Sequence, residues 1–349
     1  MKIKIKMLEA FNGDSFLISL EDNSIISNII VDGGISKTYI RDLRSQIQSI
    51  ISKNENIDLM FITHVDDDHI GGFISFFEDD EIDKSIVKRV IYNSALAISK
   101  SLNTKYDSLR EIDINKLSDK KVSYKQGKTL ENELLKYNLL ETKVIKTLNQ
   151  ITLGGAIITI LSPREIEIKK LNKKWERETS DKRQASSSDN EYKKSIKELL
   201  ENDKHVKDRS IINSSSISFL LEYGPFKILM LGDSRSDIIT KSLNRLSYNQ
   251  DNKLKVDYVK LPHHGSKKNL YYDLLNIIDC KKYIISTDGS IFNHPDKTTL
   301  ARILNTFSDA EFYFNSTVYE EIFLEEDKKE YQFACIRKDI MELNDERNI

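Results

Sequence analysis

The chain has 349 residues, of which 39% are hydrophobic and 31% charged, and its 53 Lys and Arg against 55 Asp and Glu give a formal net charge of −2. This length allows one large domain or two small ones, and it is sufficient for a substantial buried core. The balanced charge excludes a general attraction to nucleic acid or anionic membranes, so any such binding must come from a local patch. The apolar runs are short and interrupted by charge, and no segment is predicted to span a bilayer.

The N-terminus and the cysteines predict a cytoplasmic protein. Residues 1–6 alternate between apolar and basic side chains, as a first strand does, and lack the apolar block and cleavage site of a signal peptide. Cys280 and Cys335 are far apart and have no metal-binding or redox spacing. We expect both to be ordinary thiols in a reducing compartment.

Apolar alternation and turn residues predict a chain rich in short strands, with helices between some of them. A turn at residues 12–14 joins the first two strands. Strands are predicted at residues 2–7, 15–20, 25–31, 59–62, 87–92, 151–153, 157–161, 211–222, 226–231, 256–261, 283–286, 311–314 and 330–336. Helices are predicted at residues 38–53, 73–77, much of 95–142, 191–200 and 296–305.

Two polar segments fall outside this pattern. Residues 164–209 are dominated by Lys, Glu, Asp, Ser and Asn. They predict a charged, partly mobile insertion with a flexible tip at residues 186–188. Residues 338–349 predict a frayed polar tail. The remainder, residues 1–337, is interpreted as a single domain that carries the insertion.

The stretch at residues 57–72, IDLMFITHVDDDHIGG, concentrates ligand-type side chains after an apolar run. Burying its two histidines and three aspartates unpaired would cost on the order of several kcal/mol per charge. A divalent cation would allow them to sit together, since imidazole and carboxylate are ligands of zinc, manganese and iron. The alternative is an acidic surface turn with two incidental histidines.

Four separate predicted strands end in such groups, and five of the six histidines fall at these ends. In a layered α/β fold, the loops at one edge of the packed sheets meet, which brings their side chains to one place. The sequence therefore predicts one metal site. The groups are His64-x-Asp66-x-Asp68-His69, Gly232-Asp233, His263-His264 and Asn293-His294-Pro295.

These motifs resemble those of the metallo-β-lactamase superfamily. The motif HxDxDHIGG at residues 64–72 is similar to the variant in the C-terminal hydrolase domain of ComEC-type competence proteins. The segments DGG (32–34), LGDS (231–234), LPHHGS (261–266) and NHP (293–295) follow in the family's order. The resemblance covers nearly the whole chain outside the insertion and implies an α/β fold, an αββα four-layer sandwich, here as a stand-alone member.

The resemblance also implies a role for individual residues. Asp32 would orient a ligand histidine, and Asp233 would bridge two ions. The first ion would be held by His64 and Asp66, and the second by Asp68, His69 and one of His263 and His264.

For catalysis, the predicted residues are Asp68, His264 and His294. His294 would contact the scissile phosphate or protonate the leaving oxygen, as could the other member of the His263–His264 pair. Ser266, Lys267 and Asn293 are expected to bind substrate. A solvated loop is the alternative for the lysines at 267 and 268.

Two departures from the family's zinc hydrolases concern the metal. Asp66 replaces a histidine, and residues 213–216, Asn-Ser-Ser-Ser, lack the histidine of the third motif. Both changes exchange nitrogen for oxygen, which favours harder ions. We expect one or two divalent ions, manganese or zinc, with magnesium as a further option.

Three functions remain open from the sequence. The first is a metal-dependent phosphodiesterase, a nuclease acting on DNA through water activated by the metal. The second is hydrolysis of a small ester, lactone, thioester or phosphoester, since the fold serves many reactions. The third is a non-catalytic subunit whose insertion at residues 164–209 docks a protein partner. None of the three calls for a membrane.

Overall fold

Two β-sheets lie face to face at the centre of the protein, for which the computed structural model describes residues 1–104, 119–177 and 190–345. The first sheet contains six strands in the order β16-β1-β2-β3-β4-β5. Strands β1, β2 and β3 pair antiparallel, whereas β3, β4 and β5 are parallel. The strands are β1 (Lys2–Met7), β2 (Phe16–Asp22), β3 (Ile25–Val31), β4 (Ile57–Ile62), β5 (Val90–Tyr92) and β16 (Ile340–Asn344).

The second sheet contains eight strands in the order β15-β14-β13-β11-β9-β8-β7-β6. The neighbouring strands from β6 to β9 pair antiparallel, as a meander. The neighbouring strands from β9 to β15 all pair parallel. The strands are β6 (Gln150–Leu153), β7 (Ala156–Ser162), β8 (Ser218–Tyr223), β9 (Phe226–Met230), β11 (Tyr258–Lys260), β13 (Lys282–Ile285), β14 (Glu311–Phe314) and β15 (Ala334–Arg337). A short parallel pair, β10 (Leu254–Lys255) and β12 (Ile278–Asp279), lies beside them.

Helices connect the parallel strands and follow several of the loops. The α-helices are α1 (Ser36–Thr38), α2 (Arg44–Ser52), α3 (Asp67–Glu78), α4 (Ala95–Leu102), α5 (Asp119–Lys136), α6 (Glu165–Arg177), α7 (Ile196–Glu201), α8 (Ile211–Ser214), α9 (Ser236–Arg245), α10 (Tyr272–Leu275), α11 (Lys297–Thr306), α12 (Tyr319–Ile322) and α13 (Glu325–Glu330). A π-helical turn, Tyr39–Leu43, joins α1 to α2, and 3-10 turns lie at Lys84–Ile86, Glu191–Lys193 and Pro262–Gly265. None of the helices in the described part of the chain is long and apolar enough to cross a bilayer.

Three hydrophobic cores separate four layers. Between the sheets, Phe61 and Phe219 stack with ring centroids 4.6 Å apart. Outside the first sheet, Phe73 and Phe76 of α3 pack on the alternate face of β4. Outside the second sheet, Leu300 of α11 packs within a separate cluster. Each such side chain contributes about 1.5–3 kcal/mol through burial, and the arrangement confirms the αββα sandwich.

The frayed tail predicted from residue 338 is wrong for residues 340–344, which form a strand. Strand β16 pairs with β1, so it forms an edge of the first sheet. Met341 is fully buried between the sheets, and Glu342 pairs with Lys2 at 3.2 Å. The strand is only five residues long and charged residues at 338, 339 and 342 precede or interrupt its apolar positions, which hid it from sequence analysis. Residues 346–349 lie outside the described residues.

Three other elements differ from prediction. Helix α3 begins at Asp67 rather than at residue 73, and α8 occupies the start of the strand predicted at residues 211–222. The helix predicted at residues 191–200 is a 3-10 turn followed by α7, because Ser195 caps the new helix by accepting from the N–H of Glu198. Short apolar runs do not by themselves distinguish strands from helices.

The described parts of segment 164–209 pack onto the domain. Ile168 and Leu171 of α6 join the outer core of the first sheet, and Ile196 of α7 joins that of the second. The predicted flexible tip at residues 186–188 lies outside the described residues.

Candidate metal centre

The candidate centre lies where the parallel strands of both sheets end. Asp32 follows β3 and His64 follows β4, while Asp233 lies three residues after β9 and His264 lies four residues after β11. Carboxyl ends of parallel strands meet at one edge of a sheet, where α/β folds form their sites. The topology thus brings together residues that are up to about 230 positions apart in the sequence.

The first turn of α3 carries two predicted ligands. Asp66 precedes the helix in extended conformation, and Asp68 and His69 lie in its first turn. A side chain at Gly72 would place its Cβ 2.0 Å from the carbonyl oxygen of Gly33. Only glycine therefore allows α3 to approach the loop after β3 so closely, which sets His69 beside Asp32.

Asp32 fixes the orientation of two histidines. Its Oδ2 lies 2.8 Å from Nδ1 of His69 and accepts a hydrogen bond from the Thr63 hydroxyl at 2.7 Å. That hydroxyl oxygen lies 3.0 Å from Nδ1 of His64 and can accept its N–H. In this hydrogen-bond network both Nδ1 atoms are donors. The Nε2 atom of each ring is then left to face the centre, as in metal-ligating histidines.

His264 is oriented from the opposite side. Its Nδ1 donates to the carbonyl oxygen of Ser286 at 3.0 Å and lies 3.3 Å from Oδ1 of Asp14. Asp14 in turn pairs with the buried ammonium of Lys260. These contacts leave Nε2 of His264 facing the centre, 3.4 Å from Oδ2 of Asp68.

The loop that carries the two adjacent histidines has a strained backbone. His263 and His264 both adopt positive φ angles, 48° and 53°. Non-glycine residues pay roughly 1–2 kcal/mol each for this region. The next residue, Gly265, could not carry a Cβ, which would lie 2.6 Å from Cβ of Pro295. This close approach brings the loop with His294 against the loop with His263, and such strain is typical of functional sites.

Four buried ligand-type atoms converge without a hydrogen-bond partner among the described residues. They are Nε2 of His64, His69 and His264, and Oδ1 of Asp233. His69 Nε2 lies 3.4 Å from Asp233 Oδ1, and His64 Nε2 lies 3.7 Å from Asp233 Oδ2. Buried polar atoms are normally satisfied, so this convergence calls for a ligand.

The donor set fits a divalent cation. His64, His69 and Asp233 each offer an atom within 4.8 Å of the others, and so do Asp68, His69 and His264. Nitrogen and carboxylate donors of this kind suit zinc, manganese or iron. Asp66, the remaining predicted ligand, lies 3.7 Å from His64 Nε2 with a side chain 26% exposed, outside both groups.

The carboxylates give the centre a strong attraction for positive charge. Burial opposes a charge on His69, but Asp233 and Asp32 outweigh it and raise the pKa of His69 well above its usual value. Burial likewise opposes a charge on His264, and Asp14 and Asp233 raise the pKa of that ring to about 10. The same negative potential favours a bound cation.

Two other histidines are held neutral. Burial, with a contribution from His69, lowers the pKa of His64 to about 4. Burial and the nearby rings of His263 and His264 lower the pKa of His294 well below its usual value. A neutral His294 can donate or accept a hydrogen bond, but it does not carry the extra proton of an imidazolium at pH 7.

His263 and His294 lie together at the side of the centre. Their ring centroids are 5.4 Å apart, and Nε2 of His263 lies 3.7 Å from Oδ2 of Asp233. Nδ1 of His263 lies 3.0 Å from Oδ1 of Asn269, whose amide donates to the Asp233 carbonyl at 2.9 Å. His263 belongs to neither compact donor group, so the geometry favours His264 over His263 as the metal ligand.

The three residues predicted to bind substrate have different surroundings. Ser266 is buried, and its hydroxyl oxygen accepts from the N–H of Lys268 at 3.4 Å. The ammonium of Lys267 already pairs with Glu191, so its charge is balanced within the protein. Asn293 is exposed at a positive φ of 51°, and its carbonyl oxygen accepts from the Tyr192 hydroxyl at 3.3 Å.

Sequence analysis missed several residues that support the centre. Asp14, Thr63, Lys260 and Asn269 are all buried polar residues that contact predicted ligands or their carbonyls. Asp14 was assigned to a hairpin turn, but the loop between β1 and β2 runs from residue 8 to 15 and reaches the centre, where Gly13 accepts from the Ser286 hydroxyl. In the sequence, the one indication of a buried ion pair was Lys260, a lysine within the apolar run at residues 256–261.

Residues 10–96 match the sequence model of the Metallo-beta-lactamase superfamily. They include Asp32 and the whole second motif, and they supply half of the centre described above. The match covers about a quarter of the chain, and together with the two-sheet sandwich it shows that the protein has the metallo-β-lactamase fold.

Several solved structures are similar to the whole chain. YhfI from Bacillus subtilis, a metallo-beta-lactamase fold protein, is 11% identical over 98% of this chain and 100% of that chain, with a TM-score of 0.43. Zn(2+)-bound PqqB from Methylobacterium extorquens is 10% identical over 99% of this chain and 100% of that chain, also with a TM-score of 0.43.

A third structure is CmlA, a diiron beta-hydroxylase from Streptomyces venezuelae. It is 12% identical over 98% of this chain and 54% of that chain, with a TM-score of 0.38. At these identities and scores the three similarities carry no argument about the reaction. In the comparison with curated proteins, none matches this chain significantly.

Proposed function

We propose that this protein is a metal-dependent phosphodiesterase that cuts nucleic acid, with DNA as its substrate. The observation that carries the hydrolase part is the convergence of three imidazole Nε2 atoms and one carboxylate oxygen, all buried and unpaired among the described residues. Each of the three rings has its Nδ1 engaged by an oxygen. This is the arrangement that prepares histidines for a metal.

The chain's own residues divide into two sets. His64, His69, Asp233, Asp68 and His264 would hold one or two divalent ions, with Asp66 beside them. When bound, such an ion lowers the pKa of water and stabilises charge that develops on a phosphate or carbonyl. Asp32, Thr63 and Ser286 keep the imidazoles in the tautomers that leave Nε2 free.

His263 and His294 form the side from which substrate would be contacted. His294 is neutral and buried, and its Nδ1 has no hydrogen-bond partner among the described residues. It can therefore donate a hydrogen bond to a non-bridging or leaving oxygen. The carboxamide of Asn269 presents its oxygen to Nδ1 of His263, which orients Nε2 of that ring towards the centre.

Nucleic acid is favoured as substrate by the resemblance of the motifs to ComEC-type hydrolase domains and by the oxygen-rich donor set. Aspartate at position 66 and the absence of histidine at residues 213–216 shift the preference towards ions such as manganese, which suit phosphate chemistry. We further propose a cytoplasmic location for this activity.

Hydrolysis is tested with protein purified without chelator and supplemented with manganese or zinc. We expect cleavage of linear single- or double-stranded DNA and of a chromogenic phosphodiester, and its loss in Asp68→Ala. A wild-type protein that cleaves a lactone or carboxylic ester but no phosphodiester would contradict the proposed substrate class.

A small-ester hydrolase is the second candidate, because a small pocket adjoins His64. Apolar side chains of Val65, Leu171 and Ile212 line part of it, with Tyr92 and Asn93 opposite. Its free volume of about 10 Å³ is that of a single water molecule, so a short acyl group would enter only after these side chains move. If wild-type and Asp68→Ala protein behave alike in every assay, the result would favour the third function, a partner-binding subunit.

A further inference from the structure

The segment of residues 203–210, which we call the basic strap, runs beside the candidate centre. Its side chains alternate between two environments. Asp203, His205 and Asp208 are partly buried, whereas the residues between them are exposed. The exposed residues are Lys204, Val206, Lys207 and Arg209.

One end of the strap is held by a buried arginine. Arg302 of α11 is fully buried and binds both carboxylate oxygens of Asp203, at 2.8 and 2.6 Å. The same guanidinium donates to the carbonyl oxygens of Lys267 and Leu270, both at 2.6 Å. A bidentate buried pair of this kind is rigid and specific in direction. The strap and the loop that follows His264 are therefore fixed to one anchor.

The other end of the strap reaches the rim of the centre through Asp208. Its Oδ2 accepts from the amides of Asn213 at 2.8 Å and Asn269 at 3.2 Å, and lies 3.8 Å from Nδ1 of His263. Its N–H donates to the carbonyl oxygen of Lys268 at 3.1 Å. The strap thus ends beside the ring that faces the substrate side.

The exposed cations of the strap are mostly unneutralised. Among the described residues, neither Lys204 nor Arg209 has an acidic partner, and nor does the ammonium of Lys268 in the neighbouring loop. Lys207 lies 3.3 Å from Asp237, with its own side chain 52% exposed. A chain with a net charge of −2 therefore carries exposed positive charge along the segment whose Asp208 lies beside His263.

We propose that the basic strap binds the phosphodiester backbone of a nucleic acid strand and leads it to the His263–His294 side of the centre. The strap reaches the centre through Asp208, and its first residue is fixed by Arg302. A fixed row of cations can bind phosphates whatever the base sequence, because the phosphates are the same in every nucleotide. An anionic membrane is a poorer fit, since Val206 is the strap's one exposed apolar side chain and gives little area to insert. The proposal rests on the proposed function, because it names the substrate of that centre.

The test compares two triple variants with the same change in charge. One is Lys204→Ser/Lys207→Ser/Arg209→Ser in the strap. The control is Lys53→Ser/Lys253→Ser/Lys255→Ser, three exposed lysines that precede β4 or β11 and lie away from the carboxyl ends of these strands. Binding of a fluorescent 20-nucleotide oligothymidine is measured by anisotropy in EDTA over a range of salt concentrations.

The strap variant should bind about 25- to 125-fold more weakly at 0.1 M salt, because each of two or three single-strand phosphate contacts is worth about fivefold there. Its plot of log affinity against log salt should be shallower by about 1.4–2. The control should bind within about twofold of wild type. With manganese, both variants should hydrolyse a small chromogenic phosphodiester at the wild-type rate, since that substrate does not reach the strap.

Equal binding by the strap variant and the control would overturn the proposal. So would a loss of chromogenic turnover in the strap variant that matches its loss of binding, because the strap would then support the centre itself. A second variant, Lys204→Glu/Arg209→Glu, should weaken binding further if the charge is what matters. Because binding is read without turnover, a wild-type protein that hydrolyses nothing would refute the proposed function and still leave the strap result readable.

Discussion

The candidate centre has two sides, which differ in how many of their predicted ligands come together. On the His264 side, Asp68 and His264 both join His69 in one compact donor group. On the His64 side, His64 joins such a group but Asp66 does not. The two aspartates are equally accessible, with side chains 26% and 27% exposed. The difference lies in geometry, since Asp66 joins neither compact group; in addition, residues 213–216, which the motif resemblance aligns with a third-motif histidine, hold Asn and Ser. We infer that the His264 side retains an ion more firmly than the His64 side.

The largest effect is expected from removing a ligand on the firmer side. His264→Ala should lower phosphodiester hydrolysis by about a thousandfold or more, since a metal ion supplies several kcal/mol of transition-state stabilisation. Asp66→Ala, on the weaker side, should lower it by only about tenfold. Steady-state rates and metal content by mass spectrometry check both variants. Equal losses in the two would refute the difference between the sides.

Breaking the ion pair between Asp14 and Lys260, which lies next to His264, should destabilise the whole fold. Lys260→Met removes the ammonium partner of the buried Asp14 carboxylate and leaves it only the His264 ring, 3.3 Å away, which should lower the free energy of unfolding by about 3 kcal/mol. The double variant Lys260→Met/Asp14→Leu removes both charges and should recover much of the loss. Denaturant unfolding measures both variants, and a single variant as stable as wild type would contradict the buried pairing.

The orientation of the histidines should affect the two sides differently. Asp32→Ala removes the acceptor of His69 and of the Thr63 hydroxyl, and should weaken metal binding about 10- to 100-fold. Thr63→Val removes only the hydroxyl that links Asp32 to His64, so it should weaken binding on the His64 side alone. Calorimetric titration with manganese or zinc separates the two, and identical titration curves for both variants would argue against this division.

The smallest effect concerns Asp79, which follows the last residue of α3 and lies away from both sides of the centre. The Tyr39 hydroxyl and the Arg44 guanidinium lower the pKa of Asp79 to about 2. A lowered folded-state pKa gives stability that is present above pH 4 and is lost as the pH falls towards 2. Asp79→Asn should therefore cost about 1 kcal/mol at pH 7 and much less near pH 2. A cost that does not change with pH would contradict the ionic origin.

The sequence predicted most of the residues that the structure brings together at the candidate centre, because ligand-type side chains are rare residue types and here stand at the ends of apolar runs. His64, His69, Asp233 and His264 all follow strands that could be recognised from their apolar alternation or continuous burial. The αββα fold followed from the resemblance that these motifs carry. The choice between His263 and His264 needed coordinates, because two adjacent residues differ only in the direction that a strained backbone gives them.

The strap and β16 could not be predicted for a different reason. Their inward positions are the partly buried Asp203 and Asp208 and a single fully buried apolar residue, Met341, within highly charged stretches. A buried carboxylate looks like a surface one until its partner is known, and Arg302 lies about 100 positions away from Asp203. Local composition therefore indicated mobile segments where long-range ion pairs hold the chain.

Metal content together with activity tests the central claim most directly. Wild-type protein is dialysed against EDTA and then freed of the chelator. It should contain less than about 0.1 ion per chain, remain folded and lose hydrolysis. Adding manganese or zinc should restore hydrolysis in wild type but not in His69→Ala. A folded, metal-free wild-type protein that hydrolyses its substrate at the full rate would contradict the account.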